Sequence, residues 1–200
     1  MNECFYRLNI EKPNELLEKE IMRCANEAPL DTFYQNNHKK LQDRPLNVIS
    51  RQFEKEDDIV IKLAKEQYQH LFDEEIFPVV GILTNVDPDE KYACWPPHSD
   101  RERIFCTNYY YELGGDNVTT VFYKQITDHI PGLGTGRVWK YEEIDILEEV
   151  HFDLNQWYGL SVRRAHSIEK VENRRIIFSL SFYEITFDDF RVKYPQYILD

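Results

Sequence analysis

The chain has 200 residues, 42% hydrophobic and 30% charged, which suits one globular domain with a real core and excludes a disordered chain. Its formal net charge of -12 argues against a nucleic-acid partner, because phosphate-backbone binding needs clustered Lys and Arg. No stretch approaches the roughly 20 apolar residues of a membrane span, and residues 1–12 lack an apolar signal-peptide core, so the expected location is cytoplasmic.

Residues 1–77 read as an α-rich support region, 78–185 as a β-rich core and 186–200 as a tail, all within one domain. In the first region, Leu17, Ile21, Cys24 and Ala25 recur at helical spacing over 14–27, with Asn14 as N-cap. Val60, Leu63, Ala64 and Leu71 do the same over 58–72, with Asp57 as the expected cap. The polar stretch 35–44, which holds His38, Lys39 and Lys40, reads as loop, and 46–53 as a strand.

The core opens with a short apolar run, 78–86. The stretch 103–113 is dense in Tyr and Thr and ends at Gly114-Gly115, a turn signal; 119–126 resumes the strand pattern and completes a hairpin. Further strands are expected at 136–141, 149–154, 157–161 and 175–185. The aromatic share of 14% suits sheet surfaces. Short strands with frequent turns favour a sandwich or barrel, and helices that precede strands favour helices packed on its outside. Cys4, Cys24, Cys94 and Cys106 form no CxxC pair, which suits free thiols in a reducing compartment.

Chemistry concentrates at Pro96-Pro97-His98-Ser99-Asp100. Two positions apart in an extended segment, His98 and Asp100 leave the same face, so an imidazole and a carboxylate can converge on one ion. A distant second histidine, His166 in Arg163-Arg164-Ala165-His166-Ser167-Ile168, would complete a set of two His and one carboxylate. That set leaves positions open on Fe(II). Alone, an HxD spacing is common, and a His near a strand end is more often a surface residue. Arg175 tips the balance. Alternation along 175–182 puts Ile176, Phe178, Leu180 and Phe182 on one face and Arg175, Ile177, Ser179 and Ser181 on the other. Arg175 thus heads a more polar face, where a guanidinium can clamp a carboxylate. Arg174 has the opposite parity.

Together His98-Ser99-Asp100, His166 and Arg175, nine positions further on, resemble the pattern of the Fe(II)/2-oxoglutarate-dependent dioxygenases, in their prolyl-hydroxylase-like branch, over roughly 78–183. The resemblance implies a double-stranded β-helix, a jelly-roll or cupin-like core. It implies that His98, Asp100 and His166 bind Fe(II) and that Arg175 pairs with the distal carboxylate of 2-oxoglutarate. The reaction implied is hydroxylation of a C–H bond with O2, releasing succinate and CO2. The substrate would be a small molecule or a peptidyl residue, a free or peptidyl amino acid being the first choice. Asn108 and Tyr110 are further candidates for the 2-oxoglutarate site, with Tyr109 and Tyr111 instead if a bulge intervenes. The nucleic-acid repair branch carries a second arginine six positions after the first, where this chain has Ser181.

Other features read as bland. Gly132-Leu133-Gly134-Thr135-Gly136 lacks the Lys-Ser/Thr ending of a phosphate loop and reads as a loop. His129 and His151 have no partner at metal spacing, and the acidic run Glu142, Glu143, Asp145, Glu148 and Glu149 reads as solvated surface. The sequon Asn117-Val118-Thr119 would matter only in a secreted protein. Two alternatives remain: a cupin-type metalloenzyme that uses the same ligands without 2-oxoglutarate, and a non-catalytic jelly-roll binding module. The sequence leaves the primary substrate and the oligomeric state open.

Overall fold

Alternation along one strand organises the architecture. That strand is β10 (Arg175–Phe182), and it lies between β5 (Phe105–Leu113) and β3 (Phe77–Asn85) in an antiparallel sheet. The structure is a computed structural model, and it describes residues 4–27, 46–52, 58–85, 93–100, 103–126 and 139–199. The remaining strands are β1 (Phe5–Leu8), β2 (Leu46–Gln52), β4 (Ala93–His98), β6 (Thr119–Ile126), β7 (Ile146–Val150), β8 (Trp157–Leu160), β9 (Arg164–Val171) and β11 (Ile198–Leu199). Among the described residues, three helices accompany them: α1 (Glu15–Glu27), α2 (Ile59–Tyr68) and α3 (Phe187–Lys193).

The protein is mainly β, with two antiparallel sheets. The larger has seven strands in the order β11-β1-β8-β5-β10-β3-β2, the smaller four in the order β4-β9-β6-β7. From β3 to β10 the chain passes repeatedly between them, so neighbouring strands in sequence often lie in different sheets. Hydrogen bonds and ring contacts link the facing surfaces: Arg175 on β10 reaches Thr120 on β6, and Phe5 on β1 stacks near Phe122 on β6.

Each face of the large sheet meets a different neighbour. Ile176, Phe178, Leu180 and Phe182 are fully buried, with Val80, Ile82, Phe105 and Tyr109, against Leu17, Ile21, Val60, Ala64 and Tyr68 of the helices. This is the apolar face expected of β10, covered by helices on the outside as the order of elements suggested. Burial of such side chains contributes about 1.5–3 kcal/mol each and holds the helices on the sheet. On the inner face, Cys106, Tyr110, Phe122, Phe152, Tyr158 and Leu160 form a second cluster between the sheets. Trp157 and Tyr158 divide accordingly. Trp157 packs on Tyr68 and Phe178 in the helical layer, and Tyr158 on Phe152 within the inner cluster.

Local chemistry sets the helix starts. The Asn14 carboxamide oxygen accepts from the N–H groups of Leu16 and Leu17, as the sequence implied. At α2 the cap is Asp58 rather than Asp57; its carboxylate accepts from Val60 N at 2.9 Å. Asp58→Ala is expected to lower stability by about 1 kcal/mol, read as a lower urea midpoint at unchanged m-value.

Several expected elements shift. The second helix ends at Tyr68 and tightens into a 3-10 turn, Gln69–Leu71. Of the strand expected at 136–141, residues 136–138 lie outside the described residues, 139–140 are in no strand, and Tyr141–Glu143 form a 3-10 turn. The strand expected at 149–154 is β7, four residues or so earlier at its end, at Ile146–Val150. Strands β1, β4 and β9 were not anticipated. The stretch expected as a tail forms α3, and then β11, which pairs with β1. All four cysteines are buried thiols outside any disulfide. Among the described residues, no helix is long and apolar enough to cross a membrane.

Candidate metal centre

Among the described residues, strand β4 ends its sheet, laddered to β9 alone, with one further main-chain bond from Trp139 N to Pro97 O at 2.9 Å. That explains how it tolerates Pro96 and Pro97, which cannot donate to a ladder. Its register slips between Trp95 and His98. Such a bulge re-aims side chains, and here the Trp95 and His98 rings stack, 4.8 Å apart and inclined by 13°. His98 ends the strand directly opposite His166 on β9, with ring centroids 4.4 Å apart. Asp100 follows two residues on, fixed by its N–H donating to Val162 O at 3.0 Å. His98 Nε2 and Asp100 Oδ1 are 3.8 Å apart. One ligand atom from each of His98, Asp100 and His166 lies within 4.8 Å of the others, a group that could hold a metal ion.

The ring nitrogens are assigned by their partners. His98 Nδ1 is 2.8 Å from Pro96 O, and His166 Nδ1 is 3.0 Å from Arg164 O. A carbonyl oxygen only accepts, so both Nδ1 atoms carry the proton and both Nε2 atoms keep a free lone pair. This is the outer-shell arrangement that orients histidine ligands. Burial, aided by neighbouring His166, pushes the His98 pKa down to about 3; burial likewise lowers that of His166. For Asp100, burial acts upward but is outweighed by Arg103 and the two histidines, so its pKa falls below the ordinary value. The group therefore consists of two neutral imidazoles and a carboxylate anion, the protonation states a divalent ion needs.

A pH effect follows. Unfolded, His98 titrates near 6.5; folded, near 3. Between those values the unfolded chain binds more protons, so stability is full above about pH 6.5 and is lost as pH falls toward the folded value. Asp100, lowered in the fold, adds a loss in the same direction at still lower pH. The urea midpoint of the metal-free protein is expected to fall from pH 7.5 to 5, and to fall less steeply in His98→Gln. Equal slopes would count against this account.

Arg175 lies on the inner face of β10 and is 3% exposed. Its guanidinium sits 4.9 Å from the centre of the Tyr110 ring. It donates to Leu113 O and to Thr120 Oγ1, both at 3.4 Å, and its Nε has no hydrogen-bond partner. Among the described residues no carboxylate pairs with it. Burial lowers its pKa, partly offset by Tyr110. Arg174, of opposite parity, instead forms a two-pronged ion pair with Glu112 at 2.6 and 2.8 Å.

The bulge that left two readings of β5 open falls at Tyr111: Ile176 pairs with Glu112, and Ile177 with Tyr110. Asn108 and Tyr110 therefore face inward with Arg175, whereas Tyr109 packs in the helical layer. Asn108 is buried and accepts from Cys106 Sγ at 3.5 Å. Burial pushes the Tyr110 hydroxyl up to about 12, so it stays protonated. The sequence did not single out Thr120, Trp95 or Arg103. Thr120 was the most accessible of these, being two positions from Phe122 on the inward parity of β6.

The features set aside behave quietly where they are described. His151 is exposed and donates through Nδ1 to Val118 O. Glu142, Glu143, Asp145 and Glu149 are exposed and Glu148 is half-buried. His38, Lys39, Lys40, His129 and the glycine-rich stretch 132–136 lie outside the described residues.

No protein family matches the sequence, and no curated protein matches it. Among solved structures, the chain is similar to ycfD of Escherichia coli (12% identity, TM-score 0.45), covering 83% of this chain and 40% of that one. It is similar to a Pseudomonas putida prolyl-4-hydroxylase (11% identity, TM-score 0.43), covering 90% and 94%. It is also similar to Peruvianin-I, a cysteine peptidase from Thevetia peruviana latex (10% identity, TM-score 0.40), covering 92% of each chain. The chain thus spans less than half the length of the E. coli protein. These are weak likenesses, to proteins that include both a hydroxylase and a cysteine peptidase.

Proposed function

We propose that the protein is an Fe(II)- and 2-oxoglutarate-dependent dioxygenase that hydroxylates a C–H bond. The observation that carries this reading is one juxtaposition: two His and one Asp in ligand geometry, and a buried arginine that pairs with no carboxylate among the described residues, both on the inner surfaces of facing sheets. The sheets would then form a double-stranded β-helix in a single domain, with α1 and α2 packed on its outside and β1 and β2 extending the larger sheet.

The donor set fits the metal. Two imidazoles with free Nε2 atoms and one carboxylate are the ligands that leave positions open on Fe(II). The ion would be held by His98, Asp100 and His166 and would supply activation of O2. The chain's own residues do the rest. Pro96 O and Arg164 O keep the rings turned so that Nε2 faces the site. Arg175 would bind the distal carboxylate of 2-oxoglutarate, with Thr120 Oγ1 and the Tyr110 hydroxyl alongside to share it. Asn108, two residues from Tyr110 on the same face, would line the path toward the metal. An unpaired buried guanidinium is costly, and a bound dicarboxylate removes that cost. The aromatic cluster of Phe5, Phe122, Phe152 and Tyr158 excludes water from one side. The overall change would convert substrate C–H, O2 and 2-oxoglutarate into C–OH, succinate and CO2. A free or peptidyl amino acid is the first substrate class to test.

The decisive experiment is anaerobic titration with Fe(II) and then 2-oxoglutarate, followed by O2 and a measurement of succinate. Binding of both, with O2-dependent succinate, is expected. Metal binding without 2-oxoglutarate binding would instead favour a cupin-type enzyme of another reaction. Absence of both would leave a binding module.

A further inference from the structure

Arg103 belongs to no motif in the sequence, yet it contacts the proposed metal site directly. Its side chain is 25% exposed, and its Nη2 lies 2.7 Å from Asp100 Oδ2, itself on a side chain 10% exposed. The other carboxylate oxygen, Oδ1, faces His98 Nε2 at 3.8 Å. The two oxygens of Asp100 therefore have different neighbours. Both ends of the short connection are pinned by main-chain bonds: Asp100 N to Val162 O, and Ile104 N to Phe182 O, each 3.0 Å.

The geometry assigns Arg103 as the positioning residue that makes Asp100 a one-oxygen ligand, an inference that rests on the metal-centre reading above. A carboxylate can bind a cation through one oxygen or both. Binding through both would occupy a further position on the ion, and the proposed reaction needs the open positions for the keto acid and O2. With Oδ2 in ion-pair contact with a guanidinium at 2.7 Å, though outside hydrogen-bond alignment, Oδ1 is the oxygen turned toward His98. A planar fork suits that task better than the point charge of a lysine. Arg103 would thus control the number of vacant positions rather than the strength of metal binding, since its own positive charge repels a cation.

The test uses the full chain loaded with Co(II), whose visible absorption reports coordination. Arg103→Gln is expected to keep or raise its Co(II) affinity while 2-oxoglutarate affinity falls about 10- to 100-fold, with a changed Co(II) spectrum. Arg103→Lys is expected to recover part of the loss; it also carries the test if the glutamine variant does not fold, as judged by circular dichroism. Wild-type 2-oxoglutarate affinity and spectrum in Arg103→Gln would overturn the assignment. So would a parallel loss of Co(II) and 2-oxoglutarate binding, which marks a merely structural tie. If the wild-type protein bound no Co(II), the metal-centre reading and this inference would fall together; either of the other failures would leave that reading standing.

Discussion

Alanine at His98, Asp100 or His166 is expected to weaken Fe(II) binding by more than about 100-fold, beyond the 10- to 100-fold typical of outer-shell partners. Each side chain supplies one of only three protein donors in the cluster. Loss of one leaves two donors and a buried gap, so the remaining pair cannot hold the ion against water. His151→Ala is the control: the residue is exposed and bonded only to Val118 O among the contacts described, so Fe(II) affinity should stay within about twofold. Anaerobic equilibrium dialysis against Fe(II) measures all four variants, and circular dichroism checks that each is folded. Wild-type affinity in any one of the three cluster variants would remove that residue from the ligand set.

How much of this was legible in the sequence depended on how local each signal was. The alternation of Arg175–Phe182 could be read directly, because one face had to meet helices and the other the opposite sheet. His98 and Asp100 were legible as a pair through their two-residue spacing, although His98 is the last residue of β4 and Asp100 lies beyond it, fixed by Val162 O. Strand β9 was not. Its sequence, Arg164-Ala165-His166-Ser167-Ile168-Glu169-Lys170-Val171, is too polar to announce a strand, and it is stabilised by two ladders, to β4 and to β6. His166 was therefore placed near a strand end, when it sits within the strand opposite His98. Strand β1 has four residues, and its partners β8 and β11 lie some 150 or more positions away, so no local pattern marked it. Arg103 was invisible for a further reason. An arginine near a strand start is ordinary, and only the tertiary fold shows that it meets a buried carboxylate.

Arg175→Met is expected to abolish 2-oxoglutarate binding while making the ligand-free protein more stable. The two effects share one cause. In the ligand-free chain the guanidinium is buried, its Nε is unbonded, and its two hydrogen bonds are long and go to neutral oxygens. Stacking on Tyr110 returns only part of the desolvation cost, about 0.5–2 kcal/mol for a cation over an aromatic ring. Methionine has an unbranched apolar chain that can fill the same space without a charge to desolvate. Its melting temperature should therefore rise above that of the wild type. A bound dicarboxylate, in contrast, loses a two-pronged ion pair in a water-poor site, a deficit of about 3 kcal/mol or more and hence roughly 100-fold or more in Kd. Arg175→Lys should retain some affinity, because it keeps the charge but not the fork. Calorimetric titration of 2-oxoglutarate into metal-loaded protein and thermal melts of the ligand-free protein read the two quantities separately. Unchanged affinity in Arg175→Met would separate the arginine from the dicarboxylate and favour a metalloenzyme that works without it. A lower melting temperature with affinity lost would instead make Arg175 a structural member of the inner face.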